Sequence, residues 1–106
     1  MSLTLQQNVV EKCNLLLRTD HKEHDELIKL LQNAADPYAI PFLRQAILLK
    51  PQLEYLAYDD YGAYYKKCFW ALEVIGTKKA IEVIQEFGGS DDPIIKEQAI
   101  YRLAKI

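Results

Sequence analysis

Apolar residues recur at intervals of three and four along nearly the whole 106-residue chain, and Pro, Gly and Asp interrupt them where turns belong. That spacing lines one face of a helix, and no segment shows the alternation or the Asn-Gly signal of a hairpin. Leu5, Val9, Cys13, Leu16 and Leu17 predict a first helix near 3–17. Thr19-Asp20 offers a cap for a second near 21–34, carrying Leu27, Ile28, Leu30 and Leu31. Asp36-Pro37 caps a third that reaches Leu49, with Pro at the first helical position, where its missing N–H costs nothing. Lys50-Pro51 ends it, and Leu53 and Leu56 anchor a short turn. A fourth helix over 60–75, capped by Asp59 or Asp60, carries Tyr61, Tyr65, Cys68, Phe69, Leu72 and Ile75 and stops at Gly76. Thr77 caps a fifth with Ala80, Ile81, Ile84 and Phe87 inward; Asp92-Pro93 opens a sixth that carries Ile95, Ala99, Ile100, Leu103 and Ile106.

Composition narrows the class further. Half of the residues are apolar and 26% are charged, a globular balance. The longest apolar run, Cys68 to Leu72, is far short of the roughly 18 residues of a membrane span. A net charge of −2 lacks the basic excess of a nucleic-acid binder. No secretory leader is visible, so a cytoplasmic protein that is a monomer when free is expected. Cys13 and Cys68 lie on apolar stripes and read as buried thiols.

The helices repeat. Residues 64–75 align with 95–106, setting Cys68 on Ala99, Phe69 on Ile100, Trp70 on Tyr101, Leu72 on Leu103 and Ile75 on Ile106. A second alignment sets Ala39-Ile40 on Ala80-Ile81, Leu43 on Ile84, Leu27 on Cys68 and Leu31 on Leu72. Periods of this size mark stacked repeat architectures. The string Asp36-Pro37-x-Ala39-Ile40-Pro41-x-Leu43, and Ala71-Leu72, Ile75-Gly76 and Ala80-Ile81 within Lys66 to Phe87, resemble the short HEAT-like repeats first noticed in phycobilisome lyases. The resemblance covers about residues 23–106. It departs from the pattern around Lys66, where bulky Tyr65, Phe69 and Trp70 replace the basic and small residues of the first helix; the last unit has only its first helix, and the opening helix looks like half a unit. It implies one all-α domain over 1–106, a short right-handed solenoid of antiparallel helix hairpins with about six helices.

Candidate chemistry is sparse. His21 and His24 share one side of a helix, but no other His completes a metal sphere, and the His-Glu pairs of HEAT-like hydroxylases are missing; they read as part of a solvated, charged first turn. Gly88-Gly89 lacks the Lys-Ser or Lys-Thr of a phosphate loop. Trp70 reads as half-buried packing. The stretch Pro51–Tyr65 stands out: it holds five of the seven tyrosines, three carboxylates and no basic residue. Tyrosine gives large contact area with few rotatable bonds, and carboxylates steer a basic partner. Glu54, Tyr55, Tyr58, Asp59, Asp60, Tyr61 and Tyr64 are therefore the candidate partner contacts, although Tyr61, Tyr64 and Tyr65 could serve the core instead.

The expectation is a non-enzymatic protein-interaction module without cofactor, metal or membrane partner. Small HEAT-like proteins serve as bacterial immunity proteins, so the resemblance implies one that occludes a basic toxin (nuclease) domain. The alternatives are a lyase- or chaperone-type enzyme and a subunit of a larger scaffold.

Overall fold

Short polar side chains open three of the helices as their spacing predicts. The computed structural model of the protein describes residues 5–57 and 62–106, with side chains from residue 8 onward. The chain is all-α, with no strand among the described residues: α1 spans Leu5–Leu16, α2 His24–Ala34, α3 Ile40–Leu49, α4 Ala63–Ile75, α5 Lys78–Phe87 and α6 Pro93–Ala104. Asp36 accepts from the Tyr38 N–H at 2.9 Å and opens a 3-10 turn, Pro37–Ala39, that leads into α3. Thr77 Oγ1 accepts from the Ala80 N–H at 3.2 Å, and Asp92 Oδ1 from the N–H groups of Ile94 and Ile95 at 2.9 and 3.3 Å. Each such cap satisfies amide donors that the first turn leaves free, for about 1 kcal/mol.

The helices form two rows. α2, α4 and α6 lie side by side; α1, α3 and α5 make the second row and also pack against the first. The Cα envelope, 45 × 32 × 16 Å, is about two helices thick, since packed helices sit about 8–10 Å apart. α4 touches α2, α3, α5 and α6. Hence it buries Tyr64, Tyr65, Cys68, Phe69, Ala71 and Leu72, about half of its circumference, while Lys66, Lys67, Trp70 and Val74 stay exposed. Ion pairs tie three of the neighbouring pairs within the rows: Asp25–Lys67 joins α2 to α4 at 3.3 Å, Glu73–Arg102 joins α4 to α6 at 2.8 Å, and Arg44–Glu86 joins α3 to α5 at 2.6 Å.

Two turns 41 residues apart have the same construction. Ala35 and Gly76 both sit in the left-handed region, at φ 50° and 70°, and their N–H groups donate to Leu31 and Leu72 carbonyls at 3.0 Å. The paired positions Leu27 and Cys68, Leu31 and Leu72, Ala39 and Ala80, and Leu43 and Ile84 are all buried. The alignment of α4 with α6 holds less well. Cys68 and Ala99 are buried and Trp70 and Tyr101 half exposed, but Phe69 is 0% exposed where Ile100 is 50%. Ile100 and Ile106 face solvent, because among the described residues no further helix lies over α6 as α5 and α6 lie over α4.

Two helix starts also differ from expectation. α4 begins at Ala63 rather than near 60, after Gly62 at φ 72°. A Cβ there would stand 2.7 Å from Ile94 Cγ2, so glycine lets this turn close on α6. The predicted cap at Asp59 or Asp60 lies outside the described residues. α2 begins at His24 without a side-chain cap, so Thr19-Asp20 do not cap it.

Candidate interaction surface

The connection from α3 to α4 is pulled down at two points. After a 3-10 turn at Lys50–Gln52, Leu53 is extended and buried, and a second 3-10 turn, Glu54–Leu56, follows. Leu56 packs half-buried on the core and Glu54 is exposed. Tyr58, Asp59, Asp60 and Tyr61 lie outside the described residues.

Tyr64 is not a surface contact. It is 1% exposed, and its hydroxyl donates to the Ala46 carbonyl at 2.9 Å. Tyr65 is buried edge-on to it, ring centroids 6.0 Å apart. Burial pushes the Tyr64 phenol far above its ordinary pKa, so it stays a neutral donor. The cause is the central place of α4: a side chain in its first turn that faces α3 has nowhere to go but the core.

Tyr55 is half-buried, and its hydroxyl meets His24. His24 is 0% exposed, which corrects its reading as part of a solvated first turn. Its Nε2–H donates to the Arg18 carbonyl at 2.7 Å, which assigns the single proton of the neutral ring to Nε2. Nδ1 is then an acceptor, and the Tyr55 O–H donates to it at 2.5 Å; the same oxygen accepts the His24 backbone N–H at 3.3 Å. His21 stacks on His24 at 4.3 Å, with Nε2–H donating to the Leu15 carbonyl at 2.6 Å and Nδ1 accepting from the Glu23 N–H at 3.1 Å. The two imidazoles thus serve the carbonyls of Leu15, which also accepts the Arg18 N–H at 3.1 Å, and of Arg18 just beyond α1. Burial, chiefly, holds the His24 pKa below the ordinary value, and burial raises that of Tyr55.

Around this latch, Thr19–Lys22 and Gln52–Tyr55 line a polar cleft of about 390 Å³. Asp20 pairs with Arg18 there, whereas the Glu54 carboxylate stands at its edge in solvent. The latch was not legible as such: the three-residue spacing of His21 and His24 put both rings on one side, but no pattern linked them to Tyr55, 31 residues on.

A second aromatic feature lies on the outer side of α4 and α6. Trp70, Val74 and Tyr101 are 46%, 43% and 48% exposed. The Arg102 guanidinium, bound to Glu73, lies 5.1 Å from the Trp70 ring and 5.6 Å from the Tyr101 ring. Trp70 therefore packs on one face and shows the other, as expected.

The thiols are buried and free. Burial pushes Cys13 up to about 11 and Cys68 higher still, so both are neutral thiols rather than nucleophiles at neutral pH. Among the described residues, no three His, Cys, Asp or Glu side chains are grouped to hold a metal ion, and no helix is long and apolar enough to cross a membrane. No protein-family model, no curated protein and no solved structure gives a significant match to the chain.

Proposed function

We propose that this protein is a binding module that acts by occlusion, and that it is a bacterial immunity protein whose partner is a basic toxin domain of the nuclease class. One observation carries the reading. The Tyr55 hydroxyl is held by a buried His24, so the turn Glu54–Leu56 is anchored to the start of α2 while the Glu54 carboxylate is left to solvent. An edge anchored before encounter loses less conformational freedom on binding than a free loop does. Its acids continue in sequence through Asp59 and Asp60, beside Tyr58 and Tyr61. The duplicated turn at Ala35 and Gly76, and the two-row packing, support the HEAT-like reading from which the immunity role is inferred.

The partner contacts are Glu54, Tyr55 through its ring, Tyr58, Asp59, Asp60 and Tyr61. Tyr64 is withdrawn from that set. The test uses a basic protein that co-purifies with this one, assayed for nuclease activity. Equimolar addition of the chain abolishes that activity, and replacing Tyr58 and Asp59 together with Ala weakens binding by about 2 kcal/mol, as loss of a hot spot does, with helicity unchanged. Undiminished nuclease activity, or an affinity indifferent to the double substitution, contradicts the reading.

A further inference from the structure

An apolar depression lies away from that edge, between α3 and α5, and shares no lining residue with the cleft at Glu54. It encloses about 900 Å³. Ile40 and Val83 form its floor, and Pro37, Pro41 and the stacked rings of Tyr38 and Phe42, 5.2 Å apart, form one wall. Tyr38 is 39% exposed although its ring has an aromatic neighbour, so the wall presents an open aromatic face. Lining residues run along α5 from Thr77 to Glu86, about 14 Å at helical rise, which accommodates about four residues of extended chain.

Charge along the groove is uneven. At the far end Arg44 is spent on Glu86, through Nε–Oε1 at 3.0 Å and Nη2–Oε2 at 2.6 Å. At the near end Lys78 and Lys79 are exposed, and neither has an ion-pair partner among the described residues. Glu82 and Glu86 on the same wall oppose a phosphate backbone, which would meet them after the first two nucleotides.

We propose that the groove between α3 and α5 docks an extended segment of another protein, with apolar or aromatic side chains laid against Tyr38, Phe42 and Val83 and acidic side chains at Lys78 and Lys79. Two carboxylates at the lysine end match the two adjacent cations that open α5, ahead of Glu82 one turn further on, and apolar side chains beyond them cover the floor. The chain's own Tyr58-Asp59-Asp60-Tyr61 has similar chemistry, which makes a second copy the competing occupant.

The probe is a panel of synthetic peptides of about ten residues, each with two Asp beside a Phe and a Leu at varied spacing, and a matched panel with Lys for Asp. Affinity is read by fluorescence anisotropy and the site by amide chemical-shift mapping. The acidic panel binds at least about tenfold more tightly than the basic one, a difference of about 1.4 kcal/mol. Shifts cluster at Tyr38, Phe42 and Val83; Tyr38→Ala weakens binding, and Lys78→Glu with Lys79→Glu reverses the preference. The double variant keeps its fold, since acids in a first helical turn complement the helix dipole. Absence of binding, indifference to peptide charge, or shifts centred on Glu54 overturns the proposal. So does a dimer of the full chain, seen by sedimentation, that Lys78→Glu with Lys79→Glu dissociates.

Discussion

At the scale of single residues, one imidazole decides how the longest connection is held. His24 has both ring nitrogens in use with one proton between them, and His21 stacked on its face. Protonation converts Nδ1 from acceptor to donor and sets a cation in a buried site, against His21 on one side with Tyr55 at the ring edge. The charges nearest by sequence are Asp25 and Glu23, beside Asp20, which is committed to Arg18. Because the folded pKa lies below the ordinary 6.5, the unfolded chain binds the proton first. This contribution to stability is present above pH 6.5 and is lost as pH falls through the lowered folded value. Urea midpoints measured from pH 8 downward should fall below pH 6.5, and His24→Gln should flatten that slope; an unchanged slope in the variant contradicts the assignment. Tyr55→Phe removes the donor to a buried acceptor and should cost about 1–3 kcal/mol in the same assay at pH 8. A carboxylate or hydroxyl at 19–20 was the readable cap for α2. The chain uses imidazoles on the end of α1 instead, which no capping pattern encodes.

At the scale of elements, legibility follows locality. Asp36, Thr77 and Asp92 cap from within two or three residues of the amides they serve, so their roles can be read from the string alone. Gly76 stops α4 for an equally local reason, its positive φ. Helical spacing left Tyr64 open between core and contact, because its burial depends on α3, whose Ala46 carbonyl lies 18 positions away. The duplicated turn yields a pair of opposite predictions. Ala35 holds φ 50° with a Cβ, whereas Gly76 holds φ 70° without one. A left-handed residue with a Cβ costs about 1–2 kcal/mol. Ala35→Gly should therefore raise stability and Gly76→Ala lower it, each by about 1 kcal/mol, measured by chemical denaturation. Equal signs for the two would mean that the turns are not the same structure.

For the whole molecule, the sequence repeat foretold the two rows better than it foretold the ends. Equivalent positions in α2–α3 and α4–α5 are buried alike because each pair has a neighbour on either side. α6 breaks the rule: Ile100 occupies the register of Phe69, yet half of it meets water, since burial belongs to the neighbour and not to the residue. In the other row, α1 turns Glu11 and Asn14 outward. Between these ends lie the turn Glu54–Leu56, tethered through Tyr55, and, on another surface, the groove of α3 and α5. The most direct measurement is hydrogen exchange by mass spectrometry on the chain alone and in complex with a basic protein that co-purifies with it. New protection confined to residues 52–62, with exchange across α1 and α5 unchanged, is the predicted result. Protection that spares 52–62 and falls elsewhere would contradict it.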